Sequence, residues 1–197
     1  MRKYIYLIFI IPILIGCQPI LRTITGIKKP KVENFNSIEN YIETKNLPIN
    51  KNKNYYLSSN DDLKKLLKLR DTLFQLPDVY LFNKEGAFLD ESSLCLYSKY
   101  QNKDNSEINY FNKIYNVDSI VSQSKKVFYL EELLTNSKGE NAVFAKDTNI
   151  AIILWAKFLG GKRNLKHITE SKRSLEESEN PISLYYLNVD ALESWEE

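Results

Sequence analysis

Apolar and polar residues along the C-terminal part of the chain predict a βαβ unit. The run Ile150–Trp155 is continuously apolar and rich in isoleucine, which is typical of a central strand buried on both faces. Helical periodicity follows over Lys162–Glu176, and Asn180-Pro181 ends it before a second strand, Ile182–Val189. Strand, helix and strand over this length predict two parallel strands in one sheet. The predicted apolar positions of the helix are Leu165, Ile168 and Leu175.

The first half of the domain predicts a helix followed by a β-hairpin. Asp61–Phe74 has leucines on one face and lysines on the other, with Ser59 or Asn60 as its cap. The helix stops before Leu76-Pro77, and Pro77–Asp90 predicts two strands joined by a turn at Gly86. Weaker patterns predict a strand at Leu94–Tyr100, a helix at Asp104–Tyr115, a strand that becomes a helix near Leu130 within Lys125–Leu134, and a turn around Gly139.

Residues 1–17 predict an export signal rather than a structural element. A basic start precedes the apolar run Tyr4–Ile15, which is shorter than the roughly 20 residues that a membrane-spanning helix needs. The run ends in Leu14-Ile15-Gly16-Cys17, which resembles the lipobox of bacterial lipoproteins. The resemblance implies cleavage before Cys17, lipid on its thiol, and a membrane partner outside the cytoplasm. Gln18 rather than aspartate follows, which favours the outer membrane if the host is Gram-negative. The alternative is an ordinary membrane anchor that contains a cysteine.

The mature chain is predicted to consist of a tether, residues 18–54, and one domain, residues 55–197. Two prolines, Pro30 and Pro48, and the Lys/Asn run Asn50–Asn54 predict a mostly irregular path for the tether. A short helix near Ser37–Thr44 interrupts that path. Such a spacer would hold the domain away from the membrane surface.

The charge balance and the cysteine content of the chain limit the functions that the sequence can support. The chain has 27 basic and 25 acidic residues, and loss of Arg2 and Lys3 with the signal leaves the two in balance. This balance argues against a nucleic-acid partner. Once Cys17 carries lipid, Cys95 is the remaining thiol and has no cysteine with which to form an internal disulfide. Cys95 lies in an apolar stretch and is expected to be a buried small side chain, with a reactive free thiol as the alternative.

The segment that follows Ile150–Trp155 resembles the active-site corner of thioredoxin-like proteins. The family pattern is Trp-Ala, one variable residue, an aromatic residue, and then Cys-Gly-Pro-Cys-Lys at the start of a helix; this chain has Trp155, Ala156, Lys157, Phe158 and then Leu159-Gly160-Gly161-Lys162-Arg163. Downstream, Tyr185-Tyr186-Leu187-Asn188-Val189-Asp190 resembles the family's next strand. The resemblance implies a thioredoxin-like α/β fold with a mixed sheet, and a cis proline at Pro77 beside the corner.

The departures from the family pattern concern its reactive groups. Leu159 and Lys162 stand where the family has its two cysteines, and Ile153 stands in place of the buried acid. Dithiol exchange at this corner is therefore not expected. The helix N-terminus at Gly160, Gly161 and Lys162 could still bind an anion or the backbone of a partner.

The order of the elements is unusual for the family, because the proline and its hairpin precede the βαβ unit instead of following it. Circular permutation would explain this order, with Asp61–Asp90 in the place of the family's second half. The alternative is an N-terminal hairpin combined with a truncated C-terminal half, which would leave a sheet edge exposed.

No other pattern predicts a reactive site. His167 is the single histidine and is expected on a helix surface. Ligands at metal-binding spacing, a phosphate-binding glycine loop and a cofactor motif are not found in the sequence. The sequence therefore predicts a non-enzymatic, lipid-anchored protein that binds or scaffolds an unknown envelope protein. The alternatives are a redox protein that uses Cys95, and a lipoprotein for surface display.

Overall fold

The computed structural model describes residues 30–68, 76–88, 127–177 and 181–195, which form a five-stranded mixed sheet with helices on both faces. The strands are β1 (Asn54–Leu57), β2 (Asp78–Phe82), β3 (Leu134–Thr135), β4 (Asn149–Trp155) and β5 (Ile182–Asn188). The α-helices are α1 (Phe35–Thr44), α2 (Asn60–Leu67), α3 (Val127–Glu131) and α4 (Gly161–Glu176). Short 3-10 turns lie at Lys51–Lys53, Lys157–Leu159 and Glu193–Trp195.

The strand order in the sheet is β2-β4-β5-β1-β3. The three central strands are parallel, with Trp155 opposite Asn188 and Tyr56 opposite the same asparagine, whereas the two outer strands are antiparallel. The predicted parallel βαβ unit is thus confirmed as β4-α4-β5. The predicted α/β class with a mixed sheet is also confirmed, and the architecture is compatible with a thioredoxin-like fold. The edge of the sheet at which the parallel strands end, marked by Leu57, Trp155 and Asn188, is called the carboxyl edge.

Each face of the sheet has its own apolar core, because successive strand residues point to opposite sides. On β4, Ile152 and Leu154 pack towards α2 and α3, whereas Ile153 and Trp155 pack towards α1 and α4. This two-sided burial accounts for the continuous apolar run of β4.

The segment predicted as a tether takes part in the core from α1 onwards. Ile38, Ile42 and Leu47 are nearly inaccessible to solvent and pack in the same cluster as Trp155. The helix near Ser37–Thr44 and the irregular residues that follow it are confirmed, but this part of the segment packs into the domain instead of serving only as a spacer. Apolar residues at positions 38, 41 and 42 put one face of α1 on the sheet.

The hairpin predicted after Pro77 is confirmed over the residues that the structure describes. β2 runs antiparallel to β4, a turn with Gly86 at φ +76° follows, and Phe82 bridges to Phe88. The Leu76-Pro77 peptide bond is cis, as the resemblance implies. Pro77 immediately precedes Asp78, which pairs with Leu154, so the proline lies beside the end of β4.

Two predictions about elements are wrong, and others fall outside the described residues. Around Leu130 the helix α3 comes first and the short strand β3 second, because Leu130 and Leu134 both reach the core from this tight connection. On α4, Leu165 is 39% exposed, and the inward positions are Asn164, His167, Ile168 and Ser171. The turn around Gly139 is confirmed. Leu94–Tyr100, Asp104–Tyr115 and the predicted helix beyond residue 68 lie outside the described residues.

Candidate functional site

The segment Trp155–Arg163, called the corner, connects β4 to α4 at the carboxyl edge. After Trp155 the chain makes the 3-10 turn Lys157–Leu159, and Gly160 then begins α4 with φ +84° and ψ 152°. This conformation is essentially restricted to glycine. No side chain caps the N-terminus of α4, so Gly160 provides the change of direction and only backbone hydrogen bonds, to Lys157 and Asn164.

The two positions that correspond to cysteines in the family pattern lie in different environments. Leu159 is 3% exposed and belongs to the apolar core on the α2 side of the sheet. Lys162 is exposed on the first turn of α4. A leucine in the core cannot act as a nucleophile, and it fixes the turn by packing.

The indole of Trp155 holds the corner to the N-terminal part of the domain. Trp155 is fully buried, and its Nε1 donates a hydrogen bond of 3.1 Å to Oδ1 of Asn54. The Nδ2 of Asn54 in turn donates to the hydroxyl of Tyr56 at 2.8 Å. The ring of Tyr41 lies parallel to the indole, with 6.5 Å between centroids and 7° between planes. These contacts satisfy the indole N–H inside an apolar environment.

Asp190 ties the corner to the end of β5. Its Oδ2 accepts hydrogen bonds from the backbone N–H of Lys157 at 2.6 Å and from Nδ2 of Asn188 at 2.8 Å. Burial raises the pKa of the Asp190 carboxyl, and the hydrogen bonds from Lys157, Asn188 and Phe158 act in the opposite direction. The sequence identified Asp190 only as the end of a strand, whereas the structure makes it a cap for the 3-10 turn.

Lys157 connects the corner to the segment that precedes α1. Its Nζ lies 2.6 Å from Oε2 of Glu33, and both side chains are mostly buried. Ser37 also donates to Glu33, at 2.7 Å. Burial alone would raise the pKa of Glu33, but the hydrogen bonds from Lys157 and Ser37 hold it below its usual value. The backbone of Glu33 pairs with Ala191 and Glu193, so the chain enters the domain at the carboxyl edge, next to the corner.

Asn164 closes the corner from inside α4. It is fully buried, and its Nδ2 donates 2.7 Å to the carbonyl oxygen of Ala156 and 3.4 Å to the hydroxyl of Tyr41. The side chain thus adds a second hydrogen bond to the Ala156 carbonyl, which also accepts from the backbone N–H of Leu159 at 3.1 Å.

The outer surface of the corner is basic. The basic rim consists of Lys31, Lys45, Lys162 and Arg163, whose side chains are all exposed. The stem of Lys45 lies against the first residue of α4, since a Cβ added to Gly161 would be 2.9 Å from its Cδ. Lys31 is close enough to contribute to the lowered pKa of Glu33. The rim and the N-terminus of α4 together can attract anions.

His167 is buried, so its predicted surface position is wrong. It is 3% exposed and faces the sheet from α4. Burial lowers its pKa to about 4, while hydrogen bonding to the backbone of Asp78 and Leu154 acts in the opposite direction. Its neighbours in sequence are Lys166 and Ile168, and its position three residues after Asn164 places it, like Ile168, on the inward face.

The structure brings together five of the site residues singled out from the sequence. Trp155, Leu159, Gly160, Gly161 and Lys162 form the corner, and Pro77 lies beside it. Cys17 and Cys95 lie outside the described residues. The residues that the sequence did not indicate are Glu33, Asn54, Lys157, Asn164 and Asp190 in their bonding roles.

None of the helices in the described part of the chain combines the length and the apolar character that crossing a bilayer requires. Within the same residues, no group of three or more His, Cys, Asp or Glu side chains is placed to hold a metal ion.

Comparison of the chain with protein-family models, with curated proteins and with solved structures gives no match.

Proposed function

We propose that the chain is a lipid-anchored protein of the bacterial cell envelope, attached to the membrane through Cys17. Its thioredoxin-like domain carries out no dithiol exchange and binds or scaffolds an envelope protein. The observation that carries the second part is the position of Leu159, which fills the core where the family pattern has its nucleophilic cysteine.

Support for the anchor comes from the sequence Leu14-Ile15-Gly16-Cys17 at the end of an apolar run. In the family of bacterial lipoproteins this arrangement directs lipid to the cysteine. Several acyl chains, each contributing about 0.8 kcal/mol per buried methylene, would make the attachment stable.

Support for a binding role comes from the hydrogen bonds that hold the corner and from the lack of a thiol among its residues. The corner is held rigidly by hydrogen bonds of the buried side chains Trp155, Asn54, Asp190 and Asn164. The described residues of the corner contain no thiol, and Lys162 offers only a charged amine. A rigidly held corner without a thiol suits a binding domain rather than electron transfer.

We also propose circular permutation of the family fold. Support comes from the position of β2, which lies antiparallel beside β4 although it precedes β4 in the chain. The Pro77 hairpin thereby occupies the side of β4 that the truncated alternative would leave exposed as a sheet edge.

The anchor is tested by metabolic labelling with an alkyne analogue of palmitate. We expect the wild type to incorporate label and the Cys17→Ser variant to lose it and to keep its signal peptide, which the mass of the N-terminal peptide reports. Cys95→Ser is the matched control and should label normally. Label that survives Cys17→Ser would contradict the anchor.

The absence of redox function is tested by reductive turnover of insulin disulfides. We expect the purified protein and its Cys95→Ser variant to match the protein-free rate. Turnover that disappears in Cys95→Ser would support the alternative of a thiol-dependent protein and contradict the proposal.

A binding role is separated from surface display by crosslinking in intact cells. A single specific envelope protein crosslinked to the domain supports binding. Labelling by a membrane-impermeant reagent without any crosslinked partner would support the surface-display alternative.

A further inference from the structure

We propose that the basic rim rests on an anionic phospholipid surface, so that the corner faces the membrane to which the protein is attached. This inference depends on the proposed lipid anchor at Cys17. The surface is the rim already defined: Lys31, Lys45, Lys162 and Arg163.

The point where the chain enters the domain fixes which edge is near the membrane. Glu33 pairs with Ala191 and Lys157, so the described chain begins at the carboxyl edge beside the corner. Residues 18–32 separate Glu33 from Cys17. Even fully extended, a stretch of that length reaches at most about 55 Å. The anchor therefore keeps this edge at a high effective concentration near the lipid surface.

The charges at this edge complement an anionic surface. The four rim side chains are exposed, and none has a carboxylate within ion-pair distance in the part of the chain that the structure describes. In the sequence, residues 18–32 add Arg22, Lys28 and Lys29 and contain no acidic residue. Each basic residue held near anionic lipid strengthens association about fivefold.

Helix stability does not account for the charges of the rim. Lys162 and Arg163 lie in the first turn of α4, where positive charge is disfavoured by the helix dipole. At the other side of the same edge, the first turn of α2 carries Asp61 and Asp62 instead. The helix start at the corner is thus basic and the one at α2 is acidic, and this difference gives the docked domain a defined tilt.

The test uses the acylated full chain, purified in detergent and reconstituted in lipid nanodiscs of either neutral phosphatidylcholine or the same lipid with roughly one third phosphatidylglycerol. Lysine reactivity towards a soluble amine-reactive reagent is then read by mass spectrometry. We expect Lys45 and Lys162 to react about fivefold more slowly in the anionic discs, where the rim is covered. Lys84 and Lys146, which lie at the opposite edge of the sheet, are internal controls and should react equally in both discs.

Two further measurements make the test specific. Salt at about 1 M, which shortens the Debye length to about 3 Å, should restore the reactivity of Lys45. The variant Lys162→Glu with Arg163→Glu should also restore it, whereas the matched variant Lys84→Glu with Lys146→Glu should leave the protection of Lys45 intact.

The outcomes separate this inference from the proposed function. An acylated Cys17 peptide together with equal reactivity of Lys45 and Lys162 in both discs overturns membrane docking and leaves the anchor intact. Protection of Lys84 and Lys146 instead of the rim lysines also overturns it, because the domain would then face the other way. A Cys17 peptide without lipid overturns both the anchor and the docking.

Discussion

Two strand-to-helix connections lie at the carboxyl edge, and they are stabilised in different ways. Between β1 and α2, Ser59 caps the helix by accepting from the N–H of Asp62 at 3.1 Å, and its hydroxyl donates back to the Asp62 carboxylate at 2.7 Å. Between β4 and α4, Gly160 provides no side-chain cap. There the bonds come from distant parts of the chain, such as Asn54 and Asp190. The helix start of the first connection is thus capped by a neighbour in sequence, although Trp195 and Leu133 also bond to Leu57 and Ser58. The second connection has no such local cap and depends on the completed fold.

The charges of the two connections differ in the same way. The acidic first turn of α2 agrees with the helix dipole, whereas the basic first turn of α4 opposes it. The start of α4 is therefore less stable locally than the start of α2, and the long-range hydrogen bonds of the corner compensate for this difference. The following predictions test this difference, from the largest expected effect to the smallest.

Replacement of Trp155 by alanine should remove most of the long-range support of the corner. We expect a loss of about 3–5 kcal/mol in the free energy of unfolding, because a fully buried indole leaves a cavity and an unpaired Asn54. Urea denaturation measures the loss. Leu67→Ala on α2, where the leucine is 36% exposed, should change stability by no more than about 0.5 kcal/mol. Equal losses of unfolding free energy for Trp155→Ala and Leu67→Ala would contradict the expectation that the corner depends on its long-range contacts.

The attachment of α4 to the sheet should weaken in acid because of His167. Its pKa is lowered from 6.5 to about 4 in the folded protein, so between these values the unfolded chain binds the additional proton. This contribution to stability is present in full above pH 6.5, decreases as the pH falls, and amounts to about 3 kcal/mol at most.

The measurement for His167 is the urea midpoint at a series of pH values. The variant His167→Gln should show a flatter profile between pH 6.5 and 4 than the wild type. The raised pKa of Asp190 acts with the opposite sign, since it favours the protonated folded state, and it is common to both proteins. Parallel profiles for the two proteins would mean that His167 does not titrate in this range.

The two helix starts should respond differently to alanine. Gly160→Ala places a side chain at φ +84° and ψ 152°, and we expect a loss of about 1–3 kcal/mol. Ser59→Ala removes a cap and should cost about 1 kcal/mol. Thermal unfolding of both variants ranks the effects. If Gly160→Ala left the stability unchanged, the backbone of the corner would be free to adjust. That result would contradict the view that the surrounding hydrogen bonds fix the corner.

Reversing one charge at each helix start should give the smallest effects, of opposite sign. Lys162→Glu should stabilise the domain by about 0.3–1 kcal/mol, because a negative charge suits the start of α4. Asp61→Lys at the start of α2 should destabilise it by a similar amount, with a further small loss from the exposed pair with Lys64. Low-salt thermal unfolding measures both, and a destabilising Lys162→Glu would indicate that Lys162 supports the fold.

The local patterns of the sequence were sufficient to predict the centre of the fold. The apolar run before Trp155, the helical period of α4 and the break at Asn180-Pro181 each arise from a few adjacent residues, so the βαβ unit could be located. The order of α3 and β3 could not be predicted, because the run Lys125–Leu134 fits both periods. Its structure depends on the packing of Leu130 and Leu134 against other elements.

Prediction of the site succeeded for the residues within the corner and failed for those that hold it. Gly160 and Trp155 are recognisable from their immediate neighbours. Asn54 meets Trp155 across 101 positions and Glu33 meets Lys157 across 124, so no local periodicity marks either contact. His167 was misplaced because a single histidine on a helix with many charged residues resembles a surface position, whereas packing of α4 on the sheet places it against β2 and β4.

The backbone pairing of Glu33 with Ala191 and Glu193 has a mechanical consequence. A pull on a lipid-linked N-terminus would first meet these two hydrogen bonds and the ion pair with Lys157. The load would then pass to the chain leaving β5, the central strand of the sheet, before it could unwind α1. The protein would thus resist detachment forces at the central strand of its sheet.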